Sequence, residues 1–260
     1  MDYQDTPSFY NNQEFFNQYL GNTSYYIGLK NVVKKITGLI SPKKVLEFGS
    51  ALGTTSISLA SQYPNIDFEG SDIRENVVEQ ANNMTKSISN VRFFVSDMCK
   101  QVKCKDISKY DLIFLLYSFH HITDPLERKV SFLQDCYANM KDGGYLLIAE
   151  TFLPEETVGL KTDKSITDLF KLRAAEGYAS TYWNALNSLS NESLDITKAI
   201  ALKSMKEESN AGALVNKRQD EYLVKFSWLI EAAKSCGFSI VLAEPVNALM
   251  EKVLLLRKGV

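Results

Sequence analysis

Short apolar runs alternate with helix-patterned stretches along the first 151 residues. The runs are KVLEFG (44–49), IDFEGSDI (66–73), VRFFVSDM (91–98), YDLIFLLYS (110–118) and KDGGYLLIAET (141–151), the last entered through Asp142-Gly143-Gly144. Between them, TTSISLASQY (54–63), ENVVEQANNMTKSI and PLERKVSFLQDCYANM carry helical spacing. Strands rich in Val, Ile, Leu and Phe that alternate with helices predict a parallel sheet covered on both faces. Ahead of them, residues 14–40 read as helix, broken near Gly21 and ended by Ser41-Pro42. Ile27, Val32, Val33 and Ile36 are expected to share its apolar face.

After Thr151 the alternation stops. Residues 152–220 are mostly polar and helix-like, with SITDLFKLRAAEGY and SLDITKAIALKSMKEE the clearest pieces. EYLVKFSWLIEAAKSCGF (221–238) resumes as an amphipathic helix closed by Gly237. The final SIVLAEPVNALMEKVLLLRKG holds two strand-like runs suited to antiparallel pairing. The expected organisation is one α/β domain: an N-terminal helical flap over 1–42, a core over 43–151, a helical insertion over 152–220 and completion of the sheet over 221–260.

Composition narrows the class. With 260 residues, 45% hydrophobic and 23% charged, the chain suits a globular protein with a substantial core. A formal net charge of −2 gives no global basic field, so nucleic acid is not an expected partner. The start MDYQDTPSFYNNQEFF lacks the pattern of a secretory signal, and no apolar run approaches a membrane span. A cytoplasmic protein is expected. Cys99, Cys104, Cys136 and Cys236 match no zinc spacing; they read as buried reduced thiols, with no metal site.

The chemistry concentrates where strands end. A glycine turn between strand and helix suits an anion or nucleotide, because the helix N-terminus offers free N–H groups. A dinucleotide turn needs G-x-G-x-x-G, but Gly49, Ala51 and Thr54 stand at those positions, so two glycines are missing. Gly49 and Gly53 behind Glu47 better suit a cofactor with an amino-acid tail and an adenosine. Asp72 ends the second run, where a carboxylate accepts from ribose hydroxyls. Asp97 ends the third, where it can accept from an adenine amino group beside Met98. A helix N-cap or solvated loop is the competing reading for each acid alone.

VLEFGSALGT, GSDI, VSDM, YDLIFLLYSFHHI and KDGGYLLIAE together resemble the successive motifs of class I S-adenosylmethionine-dependent methyltransferases. The resemblance covers about residues 43–151. It implies a Rossmann-like, seven-stranded, mostly parallel sheet with a reversed C-terminal hairpin, helices on both faces and a helical lid. The implied cofactor is S-adenosyl-L-methionine, with S-adenosyl-L-homocysteine as product. Glu47 would lie near the methionine amino group, with Gly49, Ser50, Ala51 and Gly53 beneath the methionine part. Asp72 would hold the ribose, Ile73 the adenine face, and Asp97 and Met98 the adenine. Leu116 and Tyr117 would lie near the sulfonium. Ala51 in place of the usual glycine is the departure.

The chain has only two histidines, His120 and His121. Either could abstract a proton from an acceptor; alternatively, one packs and the other bonds the loop backbone. Tyr10, Tyr25 and Tyr26 of the flap are candidates for the methionine carboxylate, Tyr26 the one carried forward. In the insertion, Arg173, Tyr178, Tyr182 and Trp183 offer an aromatic-lined substrate site. GSALGTTS and KLRAAEGYAS also resemble the carboxy-S-adenosylmethionine synthase branch, with Arg173 and Arg218 as candidate carboxylate ligands. The leading reading is methyl transfer to a small molecule, with homodimerisation open. The alternatives are that synthase-like or a tRNA-modifying activity, or a catalytically silent cofactor-binding subunit.

Overall fold

The computed structural model describes residues 24–122, 126–152, 155, 223–246 and 251–259. The described residues from Gly28 to Phe152 and from 223 onward belong to one compact unit. A second unit, 1–27 and 153–219, falls mostly outside the described residues. So do Tyr10, Arg173, Tyr178, Tyr182, Trp183, Arg218 and the side chain of Tyr25.

Helix α1 (Ser24–Ile40) precedes β1 (Lys44–Phe48), α2 (Thr54–Gln62), β2 (Asp67–Asp72), α3 (Glu75–Met84) and β3 (Val91–Val95). A short α4 (Met98–Gln101) and a 3₁₀ turn lead to β4 (Leu112–Leu116). A second 3₁₀ turn, Phe119–His121, comes before α5 (Glu127–Asn139) and β5 (Tyr145–Thr151). The described chain closes with α6 (Phe226–Ser235), β6 (Ser239–Pro245) and β7 (Glu251–Arg257).

The seven strands form one sheet in the order β3-β2-β1-β4-β5-β7-β6. Pairing among the first five is parallel, with Glu47 opposite Gly70 on one side and Phe114 on the other. Strand β7 runs antiparallel between β5 and β6. The reversed hairpin implied by the sequence is therefore present, with its second strand inserted beside β5. Every residue of β4 is buried, as its unbroken LIFLL requires of a central strand. The chain runs outward from β1 to β3 and then returns to the other side of β1. That reversal opens a crevice at the carboxyl ends of β1 and β4, where open α/β sheets hold their ligands.

Two expectations change. The buried face of α1 is Tyr26, Leu29, Val33, Ile36 and Thr37, whereas Ile27 is 40% exposed. Leu29 is one turn before Val33 and shares its stripe; Ile27 falls off it. The four cysteines are all free, but only Cys136 is buried. Cys99 and Cys236 are half-buried and Cys104 is exposed, in the loop that follows α4.

Candidate active site

The turn after β1 is held in left-handed backbone, with φ of +67° at Gly49, +47° at Ala51 and +71° at Gly53. Both glycines are also needed for space. A Cβ at Gly49 would lie 2.5 Å from the Ser118 Cβ, and one at Gly53 would lie 2.2 Å from the Phe93 ring. Ala51 adopts the same backbone with a side chain, at a cost of about 1–2 kcal/mol. The missing glycine thus changes the strain of the turn and leaves its path intact. Backbone bonds pin it: Ser50 N–H donates to the Ser71 carbonyl at 2.9 Å and Gly53 N–H to the Ser50 carbonyl at 2.8 Å.

Across the crevice, β4 is followed by Tyr117, also left-handed at φ +51°. Ser118 Oγ then donates to the Phe48 carbonyl at 2.8 Å, tying the loop after β4 to the end of β1. Of the three non-glycine residues with positive φ among those described, Ala51 and Tyr117 flank this crevice. Strained backbone of this kind clusters at functional sites.

Glu47, 3% exposed, accepts from Ser56 Oγ at 2.6 Å. Burial pushes its carboxyl up to about 7, although bonds from Ser56 and the nearby Lys30 charge pull the other way. Burial in turn lowers the Lys30 ammonium from its ordinary value, opposed by Glu47. Glu47 is therefore a buried acid whose charge the fold does not fully compensate. Asp72 is more completely engaged. Its Oδ2 accepts from Ala51 N–H at 3.0 Å, and its Oδ1 from Arg74 N–H and Nε, both at 3.0 Å. Asp97 N-caps α4, its Oδ1 accepting from Cys99 N–H at 2.9 Å, so the capping reading holds for it. Ile73 and Val95 lie exposed at the ends of β2 and β3, at 40% and 50%, and Met98 is half-buried beyond.

His120 meets a buried carboxylate. His120 Nδ1 lies 3.0 Å from Glu150 Oε2, and its backbone N–H donates to the same oxygen at 3.3 Å. Burial alone would push Glu150 up, but the His120 charge and hydrogen bonds from His120 and Thr151 bring it below its ordinary value. A proton on Nδ1 completes the bond to Glu150 and leaves Nε2 with its lone pair. The His121 ring stands 4.1 Å from that of His120, centroid to centroid. From β3 to β5 is four strand spacings, about 19 Å. The ends of this edge therefore suit different parts of an extended ligand.

Among the sequence candidates, the fold brings Gly49, Ser50, Ala51, Gly53, Glu47 and Asp72 to one turn. Leu116 is buried at the end of β4, Tyr117 follows it half-buried and Tyr26 is buried on α1. Sequence reasoning missed Ser56, Arg74, Ser118 and Glu150. Glu150 had a signal, since it ends the fifth strand of the parallel pattern; the others are ordinary polar residues until packed. Among the described residues, no group of three or more His, Cys, Asp or Glu is placed to hold a metal ion. None of the described helices is long and apolar enough to cross a membrane.

The residues present fit an S-adenosylmethionine-type ligand. The turn admits no side chain at Gly49 or Gly53, the Ser50 Oγ is buried without a hydrogen-bond partner, and the Glu47 carboxyl lacks full compensation. Residues 40–210 match the family described as Methyltransferase domain. Caffeic acid 3-O-methyltransferase 1 of Ocimum basilicum is 32% identical over 140 residues, 54% of this chain and 35% of that protein. Carboxy-S-adenosyl-L-methionine synthase of Campylobacter fetus subsp. fetus (strain 82-40) is 26% identical over 135 residues, 51% of this chain and 55% of that protein. The structure of an O-methyltransferase family protein from Burkholderia thailandensis shares the fold, with a TM-score of 0.59 and 11% identity, over 97% of this chain and 59% of that one. The chain thus spans about a third of the plant relative and somewhat over half of the other two. With two thirds of its length matched and the fold in agreement, the chain belongs to the methyltransferase-domain family, within the class I S-adenosylmethionine-dependent superfamily.

Proposed function

We propose that this protein methylates a hydroxyl oxygen of a small, phenol-like acceptor, with His120 as general base. The observation that carries this reading is the His120–Glu150 pair, 3.0 Å apart at the β4–β5 end of the ligand-binding edge. S-adenosylmethionine supplies an electrophilic methyl group on a sulfonium. Glu47 would hold its ammonium, Asp72 its ribose, and Asp97 with Ile73 and Met98 its adenine, as the resemblance implies. Placing Asp72 on the ribose requires Arg74 to share that carboxylate, since its N–H and Nε both donate to Oδ1 at 3.0 Å.

A hydroxyl acceptor explains why a base is present. A phenol with a pKa near 10 is mostly protonated at neutral pH, and the neutral oxygen is a poor nucleophile. His120 Nε2 takes that proton as the oxygen attacks, and Glu150 stabilises the imidazolium that forms. Glu150 also fixes which nitrogen does the work. The 32% identity to an enzyme named for a phenolic acceptor, caffeic acid, supports the same class.

The test is turnover of S-adenosylmethionine with caffeic acid and related phenols, following S-adenosylhomocysteine and the mass of the acceptor. A gain of one methyl is expected, and His120→Gln should lower kcat by about 10²–10⁴ while leaving S-adenosylhomocysteine binding intact. Full activity in that variant sinks the base assignment. The similarity to carboxy-S-adenosylmethionine synthase favours a second reading, transfer of a carboxyl group from a carboxylic-acid co-substrate to the cofactor's methyl carbon, which gives up a proton. A cofactor heavier by one carboxyl group when a panel of carboxylic acids replaces the phenols, with the donor acid decarboxylated in equal amount, decides for it.

A further inference from the structure

We propose that Lys129 is a positioning residue for His120, acting through the peptide group between Phe119 and His120. The inference rests on the reading of His120 as the base.

Lys129 lies on α5 with no exposed surface. Its Nζ donates to the Phe119 carbonyl at 2.6 Å and stands 4.4 Å from the centre of the Phe119 ring. The N–H of the same peptide group, that of His120, donates to Glu150 Oε2. A buried cation therefore holds the carbonyl end of one amide plane, and a buried carboxylate holds the other. An amide is planar, so fixing both ends fixes its rotation. That rotation sets where the His120 Cα–Cβ bond points, and so whether Nδ1 reaches Glu150 and which way Nε2 faces.

Packing alone gives no reason for a cation here. Phe119 already packs edge-on against Phe132, which packs edge-on against Phe48 at the end of β1. An apolar side chain of similar length would fill the position of Lys129 without the cost of burying a charge. The ammonium makes a directed, charge-assisted bond to the carbonyl preceding His120, which an apolar side chain could not make. The 3₁₀ turn Phe119–His121 is a single turn with weak hydrogen bonds of its own, so its geometry depends on such outside anchors.

The test uses the full chain carrying Lys129→Met and Lys129→Arg, read by ¹⁵N NMR of the imidazole rings. With two histidines, a His121→Asn background assigns the signals. The wild type should show His120 as one dominant tautomer, protonated at Nδ1. Lys129→Met should mix the tautomers and lower kcat on caffeic acid by about 10-fold or more. Its Kd for S-adenosylhomocysteine should stay within about twofold, since the cofactor turn is not touched. Lys129→Arg should restore the single tautomer. A folded Lys129→Met whose His120 signal matches the wild type overturns the proposal, as does a wild type with mixed tautomers. If Lys129→Met loses its helical circular dichroism, Lys129→Gln, which keeps a donor without the charge, is judged by the same signal. The spectroscopic readout decides even if caffeic acid is no substrate, which separates this proposal from the acceptor assignment.

Discussion

Glu47 and Glu69 lie on neighbouring strands of one sheet, 3% and 4% exposed, and their environments tune them in opposite directions. Glu69 sits toward the amino ends of the strands. It is met by Lys44, by Arg92 Nη2 at 2.6 Å and by the Tyr110 hydroxyl, which donates to Oε2. Burial alone would push it up, but the hydrogen bonds from Lys44, Tyr110 and Arg92 bring it down to about 2. Glu47 sits toward the carboxyl ends, with Ser56 as its close hydrogen-bond donor and a carboxyl raised to about 7. The Glu69 charge is satisfied within the fold, whereas that of Glu47 is left short, as the ammonium partner proposed above requires. Glu150, lowered by His120, is a third case: a carboxylate satisfied by the residue it orients.

The largest effect expected from this contrast is on stability at the Glu69 end. Glu69→Ala leaves Lys44 and Arg92 without their carboxylate and exposes the Tyr110 hydroxyl to an unpaired site. Losing the charge-assisted bond from the buried Tyr110 hydroxyl and the partly buried Lys44 pair costs about 2–4 kcal/mol, read as a lower urea midpoint, with cofactor affinity per folded molecule unchanged. A loss of affinity at constant stability would erase the distinction between the two acids.

Glu47→Gln should do the reverse. Affinity for S-adenosylhomocysteine should fall by about 1.5–3 kcal/mol, from loss of a charge-assisted bond to its ammonium, with no loss of stability at pH 8. Calorimetry showing unchanged affinity would remove Glu47 from the ammonium site.

The pH dependence follows with its sign. Glu47 is raised from 4.5 to about 7, so the folded state holds its proton over that window. Its contribution is full below 4.5 and is lost as pH rises through 7, at most about 3 kcal/mol. Glu69, lowered to about 2, contributes above 4.5 and loses that contribution as pH falls through 2. Binding of S-adenosylhomocysteine, which favours ionised Glu47, should weaken by about tenfold per pH unit below 7. A flat affinity between pH 5 and 8 contradicts the uncompensated state of Glu47. The smallest effect is at the turn. Ala51→Gly removes left-handed strain but loosens the unfolded chain, so a net change within about 1 kcal/mol is expected in denaturant melts. A larger loss would mean that the alanine methyl itself is packed.

Much of the parallel sheet was legible because buried strands write themselves as apolar runs, as LIFLL does in β4. Ends were less so. The run 91–98 stops as strand at Val95, because Asp97 caps α4 and takes the chain out of the ladder. On α1, lysines and apolar residues alternate closely enough that Ile27 and Leu29 compete for the stripe, and only packing chose Leu29. Glu47, Asp72 and the glycines were readable because they stand at strand ends in a fixed order. Ser118 was not, and Glu150 only by its place at a strand end, since their partners lie 70 and 30 residues away.

By itself the sequence determined the strand–helix alternation, the left-handed turn at Gly49–Gly53 and the family, because each rests on residues close together in the chain. Tertiary structure decided the surroundings of His120. Glu150 on β5 reaches its ring and its amide, and Lys129 on α5 holds the preceding carbonyl. A pattern along the chain carries periodicity and order, whereas the direction of a lone pair is set by groups that only folding brings within 3 Å.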